Sequence, residues 1–234
     1  DLHSFPTRRS SDLWITEGWA QFALFPDELE IREGRLKQQA ELLYRKHEKY
    51  WQAVDKNDVA LAFGHAADVV VLAAWRQDAE AFNEEYCRYL QRKHRAGADT
   101  PWFAGQIIMI ARNDYTLEVF NGDIGLIMPD AESANGLAAY FPNADGFKKI
   151  AISRLPQFES AFAMTVHKSQ GSEYREVWLL PPSGKIEQGG DDALSGLNNA
   201  LLYTAITRAR ERFVFWGNEE QYPEIGRASC RERV

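Results

Sequence analysis

The sequence lacks the features that mark several specialised classes of protein. Its two cysteines, Cys87 and Cys230, lie far apart and have no second Cys or His at metal-ligand spacing, so we expect neither a zinc site nor a disulfide framework. No apolar run approaches the roughly 18 to 20 residues of a membrane span, and the N-terminus lacks the apolar core of a signal peptide. We therefore expect a cytoplasmic protein without membrane association.

An excess of positive charge is also lacking. Lys and Arg total 27 against 34 Asp and Glu, giving a formal net charge of −7. This balance excludes binding of nucleic acid through a broadly basic surface, so any such contact must be local. The Walker A pattern G-x-x-x-x-G-K-[ST] is absent as well: Gly184-Lys185 is followed by Ile186, and no glycine precedes it at the required spacing.

The apolar patterns that are present predict an α/β protein. With 45% hydrophobic residues, the chain can build a sizeable core. Residues 68–75 (DVVVLAAW) form an apolar run without alternation, which is typical of a parallel strand buried on both faces, and residues 77–95 predict a following helix. After Pro156 the same character returns, with strands predicted at SAFAMTV, VWLLPP and FVFWG and a helix at NNALLYTAITRARER.

Residues 101–158 differ from the segments on both sides. The runs QIIMIAR, TLEVF, DIGLIM, GLAAYF and FKKIAIS read as short strands separated by turn residues. Asn121-Gly122 is a strong hairpin signal, because both residue types tolerate positive φ. We therefore predict a small antiparallel β-barrel inserted into an α/β domain formed by residues 14–100 and 159–224.

Three further segments carry weaker signals. From Pro26 to about Val54, Leu36, Ala40, Leu43 and Tyr44 recur at helical spacing and predict an amphipathic helix. Gly184 to Gly196, rich in Gly, Ser and Asp, predicts a mobile loop. Residues 1–13 and 225–234 are polar, lack periodicity and resemble translated sequencing-adapter read-through, so we expect non-native tails and a natural protein that extends beyond both ends.

Residues 162–173 (FAMTVHKSQGSE) are the first candidate for chemistry. An apolar strand runs into a turn that carries His, Lys, Ser, Gln and Glu. Ligands bind at the carboxyl edge of open parallel sheets, and these side chains suit contacts with phosphates and bases. Taken alone, the turn is more simply explained as a solvated turn whose polar residues cap the next helix.

Residues 201–210 (LLYTAITRAR) are the second candidate. A helix is predicted here, with Leu202, Ile206 and Ala209 on one face and Arg208 on another. A fixed guanidinium can enter a phosphate site and stabilise the charge of a transferred phosphoryl group. A surface arginine paired with a carboxylate is the simpler explanation for this segment alone.

In this order, the two segments closely resemble motifs V and VI of superfamily 1 DNA helicases. The preceding FNGDIG resembles the superfamily 1B branch that contains the exodeoxyribonuclease V alpha subunits, the RecD family. The resemblance covers most of residues 60–218. It implies that the α/β part is the second RecA-like motor domain, called 2A, interrupted by an SH3-like 2B barrel.

The resemblance also implies roles for individual residues. Thr165 and His167 match the motif V residues that contact single-stranded DNA, and Gly171 and Glu173 match those that face the nucleotide. Arg208 matches the arginine finger of motif VI.

Three residues outside motifs V and VI complete the set. Arg76 stands where motif IV places a second arginine that reaches the triphosphate, although the surrounding motif is loose. Asn113 and Tyr115 belong to a signature of the branch and are expected to contact DNA, while plain turn chemistry explains most of that segment. No metal site is expected within this chain.

By the same resemblance, ATP and Mg²⁺ are held mainly by a first motor domain that carries the Walker residues. Closure of the cleft between the two domains then drives 5′ to 3′ translocation on DNA, and subunits like RecB and RecC are the implied partners. Without a Walker A loop, we expect this chain alone not to hydrolyse ATP.

Three alternatives remain open at this point. The chain can belong to another superfamily 1B helicase, either a stand-alone RecD-like enzyme or a conjugative relaxase-helicase. It can be a non-catalytic module that binds single strands by stacking on Trp102, Tyr115 and Phe120. It can also be a scaffold between partner subunits, which explains neither motif.

Overall fold

The computed structural model describes residues 26–97, 101–183 and 199–217. The predicted tails at 1–13 and 225–234 and the predicted loop at 184–196 lie outside the described residues. Within the described part, two sheets organise the fold, each with five strands.

The first sheet is parallel and confirms the α/β prediction. Its strands are β1 (Glu28–Arg32), β2 (Val69–Ala73), β8 (Ala163–Thr165), β9 (Tyr174–Leu180) and β10 (Ala209–Trp216). They lie in the order β1-β10-β9-β2-β8, and every neighbouring pair is parallel. All five residues of β2 are buried, as a continuous apolar run predicts when both faces of a strand are covered.

Helices cover this sheet: α1 (Leu36–Lys46), α2 (Glu48–Asp55), α3 (Val59–Ala66), α4 (Arg76–Arg92) and α5 (Asn199–Ile206). Helix α4 follows β2 and buries Phe82, Tyr86 and Leu90, which recur every four residues and so share one face. Each such aromatic or leucine side chain contributes about 2 kcal/mol of hydrophobic stabilisation.

The helix predicted from residue 26 to 54 is wrong in its first part. Residues 28–32 instead form the edge strand β1, which pairs with β10. Leu29 and Ile31 pack toward the core, while Glu30 between them pairs with Arg212. Apolar and polar side chains therefore alternate here with the two-residue period of a strand, not with the period of a helix. Helical periodicity begins only after Gly34.

The second sheet is antiparallel and occupies the predicted insertion. Its strands are β3 (Gln106–Ile110), β4 (Ile124–Pro129), β5 (Leu137–Asn143), β6 (Gly146–Ala151) and β7 (Phe158–Ser160). They lie in the order β6-β5-β4-β3-β7. The insertion therefore has five strands, although one of them differs from the predicted set. Because β6 and β7 are the two edges of this order, closure into a barrel stays a prediction.

The predicted strand TLEVF is a tight loop. The Asp114 carboxylate accepts hydrogen bonds from the amides of Thr116 and Leu117, and Glu118 adopts a positive φ of 48°. These local bonds compete with strand pairing and leave only an isolated bridge between Asp114 and Val119. The fifth strand is β7, which pairs with β3.

Strand β3 joins the two halves of the molecule. Ile107 and Met109 pack into the main core, whereas Ile108 and Ile110 pack into a small core inside the insertion. Successive side chains of a strand point to opposite faces, so the fully buried QIIMI serves both cores. The insertion is thus packed firmly against the α/β domain.

Candidate functional site

Thr165 and His167 lie at the carboxyl edge of the parallel sheet. Thr165 is the last residue of β8 and pairs with Ala73, the last residue of β2. The chain then makes a 3₁₀ turn over Val166–Ser169, in which the Ser169 hydroxyl donates to the Val166 carbonyl at 2.7 Å. Ser169 is fully buried and His167 is exposed, so the turn is anchored from inside and presents its imidazole outward.

From this turn the chain crosses to the opposite edge of the sheet. Residues 170–173 lead into Tyr174, which starts β9 and pairs with Ala209 at the amino edge. Gly171 has a φ of 85°, a backbone conformation that favours glycine. Since β9 runs from Tyr174 to Leu180, the two edges are about 20 Å apart at 3.3 Å per residue.

Arg208 lies at the amino edge, although not on the helix predicted for it. Helix α5 ends at Ile206, and Arg208 occupies the turn that leads directly into β10. The residues after Ile206 pair with β9 because Phe213–Trp216 are an apolar run that is buried in the sheet. This placement fixes the backbone of Arg208 from both sides.

The guanidinium of Arg208 faces the motif V turn. Its Nη1 donates to the carbonyl of Ser172 at 3.1 Å, and its Nη2 donates to the Thr207 hydroxyl at 3.4 Å. Its Nε is buried and has no hydrogen-bond partner among the described residues. The amide of Tyr174 in turn donates to the Arg208 carbonyl at 2.8 Å. The turns before β9 and β10 are therefore joined to each other by hydrogen bonds.

Glu173 belongs to the same group. Its carboxylate accepts from Nε of Arg210 at 3.0 Å, and both side chains are more than half exposed. The structure thus brings Gly171, Glu173 and Arg208 together at the amino edge, as the sequence predicts for residues that face one nucleotide. Their contact with a nucleotide stays a prediction.

Arg76 lies elsewhere. It is the first residue of α4, beyond the carboxyl end of β2, and donates to Glu80 at 2.6 Å and to Glu159 at 3.0 Å. The hydrogen bond to Glu80 and the charge of Glu159 raise the pKa of Arg76 above its ordinary value. Arg76 and Arg208 are at opposite edges of the sheet, so the structure does not bring them together at one triphosphate.

Instead, Arg76 shares a cavity with Thr165. This cavity, of ≈480 Å³, lies between α4 and strands β7 and β8, and Glu159, Lys168 and Cys87 also line it. Burial raises the pKa of the Cys87 thiol, so this cysteine is a poor nucleophile. The carboxyl edge thus carries two of the predicted DNA contacts, Thr165 and His167, together with the residue assigned by resemblance to motif IV.

Asn113 and Tyr115 lie in the loop between β3 and β4, on the insertion. The Asn113 side chain accepts from the amide of Asn121 at 2.7 Å, so it also holds the loop together. Tyr115 is 77% exposed and Phe120 is 45% exposed, and their rings meet edge to face at 6.0 Å. The loop therefore presents an aromatic pair to solvent, which suits stacking on nucleic-acid bases.

Asn83 is an important residue that the sequence analysis did not single out. Its amide group donates to the carbonyls of Ser160 and Ala163 at 2.8 and 2.9 Å, and its oxygen accepts from the amide of Ala163 at 2.8 Å. It thereby fixes the point where the chain leaves the insertion and enters β8. The available signal was a polar residue on the apolar face of α4, beside Phe82 and Tyr86.

Two negative findings concern the described ranges alone. Residues 26–97, 101–183 and 199–217 contain no group of three or more His, Cys, Asp or Glu side chains placed to hold a metal ion. No helix in the same ranges is both long enough and apolar enough to cross a bilayer.

Comparison with known sequences identifies relatives. Residues 160–215 match the UvrD-like helicase C-terminal domain. The RecBCD enzyme subunit RecD of Mycobacterium tuberculosis is 41% identical over 120 residues, which cover 51% of this chain and 19% of that protein. The RecBCD enzyme subunit RecD of Haemophilus influenzae is 33% identical over 133 residues, covering 57% of this chain and 17% of that protein.

A third relative is the ATP-dependent RecD2 DNA helicase of Deinococcus radiodurans. It is 32% identical over 128 residues, which cover 55% of this chain and 16% of that protein. The matched region thus spans less than a fifth of each of these relatives.

Solved structures give more distant likenesses. A Pif1 helicase from Bacteroides, in complex with ADP-AlF3 and ssDNA, matches 86% of this chain and 55% of its own chain, with 15% identity and a TM-score of 0.39. Pif1 helicase from Candida albicans matches 76% of this chain and 56% of its own chain, with 14% identity and a TM-score of 0.44.

The similarity to helicases rests on the sequence matches, and the mixed α/β fold with a parallel sheet is the fold class that the resemblance implied. Residues 160–215 are thus similar to the UvrD-like helicase C-terminal domain, and about half of the chain is similar to RecD-type helicases.

Proposed function

We propose that this chain is the second motor domain of an ATP-dependent 5′ to 3′ DNA helicase of the RecD type. In this role it supplies an arginine finger to a nucleotide held by a first motor domain and grips single-stranded DNA at its own carboxyl edge. The similarity to RecD-type helicases and the arrangement of the two sheet edges support the proposal.

The observation that carries the proposal is the connection from Val166 to Glu173. Its beginning follows Thr165 at the carboxyl edge, and its end is bonded to Arg208 at the amino edge. One short segment therefore joins a candidate DNA site to a candidate nucleotide site. When the Arg208 Nη1 turns to a phosphate, it releases the carbonyl of Ser172 and so frees the turn that holds His167 to shift.

The residues at the amino edge fit part of an ATP site. The Arg208 Nε is a buried donor without a partner among the described residues, and the Nη1 bond to a neutral carbonyl can be exchanged for a stronger bond to a phosphate oxygen. When bound, ATP supplies the phosphoryl transfer that drives the motor. By the same family resemblance, we assign Mg²⁺ to the domain with the Walker residues.

Arg208 would act by charge stabilisation. A guanidinium is ionised at every relevant pH and offers fixed donors to the oxygens of the transferred phosphoryl group. Its position between α5 and β10 keeps it in place without a large entropic cost on binding. The residues of this chain then transmit the contact and take part in no proton-transfer step.

The wider setting follows from the relatives and is part of the proposal. The RecD relatives are named as subunits of the RecBCD enzyme, so we assign subunits like RecB and RecC as partners and double-strand break repair in the cytoplasm as the process. The RecD2 relative favours a second candidate, a helicase that acts without those subunits. Co-purification of the complete protein with RecB-like and RecC-like subunits separates the two.

The test is an Arg208→Ala substitution in the complete helicase that contains this segment. Loss of an arginine finger is expected to lower DNA-stimulated ATPase by about a thousandfold or more, while affinity for single-stranded DNA stays unchanged. Arg88→Ala, which removes an exposed arginine from α4, is the matched control and should leave both activities intact. Unchanged ATPase in the Arg208 variant contradicts the proposal and favours a non-catalytic binding module.

A further inference from the structure

One carboxylate holds two cations at the carboxyl edge of the parallel sheet. Glu159 Oε2 accepts from Arg76 Nη2 at 3.0 Å, and Glu159 Oε1 is paired with Lys168 Nζ. The three residues come from different elements: the start of α4, strand β7 of the insertion and the 3₁₀ turn after β8. Glu159 is the most buried of them, with 24% of its side chain exposed.

This cluster is next to the candidate DNA contacts. Arg76, Glu159, Lys168 and Thr165 all line the cavity of ≈480 Å³ between α4, β7 and β8. His167 precedes Lys168 in the same turn. Arg208, in contrast, is about 20 Å away at the other edge of the sheet. The two cations are therefore placed for a ligand that passes Thr165 and not for the nucleotide.

We propose that Arg76 and Lys168 form a binding site for a backbone phosphate of single-stranded DNA, with Glu159 occupying the anion position when DNA is absent. The proposal rests on the DNA-binding part of the proposed function. It also assigns Arg76 to DNA, in place of the triphosphate contact that the family resemblance implies.

The chemistry of the cluster matches a phosphate. A carboxylate and a phosphodiester both offer anionic oxygens that accept from a guanidinium and an ammonium group. Arg76 uses its Nε for Glu80 at 2.6 Å, so it can keep that bond while its Nη2 exchanges Glu159 for a phosphate oxygen. Lys168 has three donors and can make the same exchange.

Glu159 should also limit the affinity of this site for a DNA phosphate. Together with Glu80 and Glu84 it gives the cavity three carboxylates against two cations, so a phosphate meets repulsion unless Glu159 withdraws. Since Glu159 lies on β7, the insertion supplies the competing charge. Whenever the phosphate leaves, Glu159 again neutralises Arg76 and Lys168. A binding site of this kind suits a protein that must release DNA repeatedly as it moves.

The test measures binding of a short fluorescein-labelled oligothymidylate to this chain by anisotropy over a range of salt concentrations. Glu159→Gln keeps the shape of the side chain and removes its charge. We expect it to tighten binding by about tenfold. We also expect the plot of log K against log salt to steepen by about 0.7 for each freed cation. Adding Lys168→Ala to this variant should remove about half of that steepening.

Glu132→Gln is the matched control. It also removes a salt-bridged carboxylate from the insertion, but Glu132 pairs with Lys149 and does not line the cavity, so affinity and slope should stay as in the wild type. Thermal unfolding checks that each variant folds. An unchanged affinity and slope in Glu159→Gln, with the wild type binding DNA, overturns this proposal alone.

Two other outcomes are equally decisive. If neither the wild type nor Glu159→Gln binds the oligonucleotide, the DNA-binding part of the proposed function fails, and the phosphate site fails with it. If Arg76→Ala in the complete helicase weakens binding of a fluorescent ADP analogue and leaves DNA affinity unchanged, Arg76 belongs to the nucleotide site. That result overturns the assignment made above.

Discussion

Asn83 on α4 binds both the amide and the carbonyl of Ala163, the first residue of β8, at 2.8 and 2.9 Å. The three-residue strand β8 sits at the edge of the sheet and ends at Thr165. A strand this short has few ladder bonds of its own, so the side chain of Asn83 determines its position. The position of the candidate DNA site therefore depends on a residue outside it.

Asn83→Ala should destabilise the fold by about 3 kcal/mol, because buried backbone groups at residues 160 and 163 lose their partners. Urea unfolding measures this loss. Gln52→Ala, which removes an exposed amide that donates to Glu48, should cost less than about 0.5 kcal/mol. Similar values for the two variants would show that Asn83 is not a structural anchor.

Gly105→Ala should loosen the insertion. Gly105 has a φ of 82°, and a Cβ there meets the Trp51 ring at 2.5 Å. Gly136→Ala is an informative control, since Gly136 also has positive φ, 67°, and a Cβ there meets nothing within 4 Å. We expect a cost of about 1 kcal/mol at Gly136 from backbone strain and clearly more at Gly105. Equal unfolding free energies would contradict tight docking at Trp51.

Stability should depend on pH through His47. Burial lowers the pKa of His47 from 6.5 to about 4, while its ring nitrogen Nε2 bonds the Val69 carbonyl. The unfolded chain binds the proton more readily, so the stabilisation is complete above about pH 6.5 and falls as the pH drops toward 4. The stabilisation lost over this pH range amounts to about 3 kcal/mol.

Urea unfolding across this pH range, on the wild type and two variants, measures the effect. His47→Gln should lose this part of the pH dependence, whereas His94→Gln at an exposed turn should retain it. The same pH dependence in all three proteins would exclude His47 as its source.

Thr165→Val should weaken binding of oligothymidylate by about three- to tenfold through loss of one hydroxyl hydrogen bond. The substitution keeps the shape of the side chain. Thr204→Val is the control, because the Thr204 hydroxyl bonds the Ala200 carbonyl within α5. If both variants bind as the wild type does, Thr165 does not contact DNA.

Tyr115→Ala should cost about 1 to 3 kcal/mol of single-strand binding if its exposed ring stacks on a base. Tyr115→Phe keeps the ring and should bind normally. Equal binding by all three proteins would restrict the role of this residue to the loop itself.

The sequence predicted the sheets better than it predicted the edges where the site lies. An unbroken apolar run such as residues 69–73 indicates a buried strand. Turn residues marked the boundaries between the predicted strands of the insertion. Arg208 was placed on a helix because helical spacing continued through Ala209, but pairing of the following residues with β9 ended the helix at Ile206. Such pairing joins residues distant in sequence and leaves no local signal.

The ion pairs of the site were beyond prediction for the same reason. Arg76 and Glu159 are separated by the whole insertion, and their meeting depends on how β7 packs beside α4. The resemblance to motif IV suggested one role for Arg76, whereas the order of the strands places it with Thr165. The three-dimensional topology thus favours the DNA contact proposed for Arg76 over the triphosphate contact that the motif alone suggests.

The connection Val166–Glu173 is proposed to couple the nucleotide to DNA, and the linkage between the two ligands measures this coupling most directly. Affinity of the complete helicase for single-stranded DNA is determined with and without a transition-state analogue of ATP, for the wild type and for Arg208→Ala. We predict that the analogue changes DNA affinity by about 5- to 150-fold in the wild type and leaves it nearly unchanged in the variant. An equal change in both proteins would contradict the account.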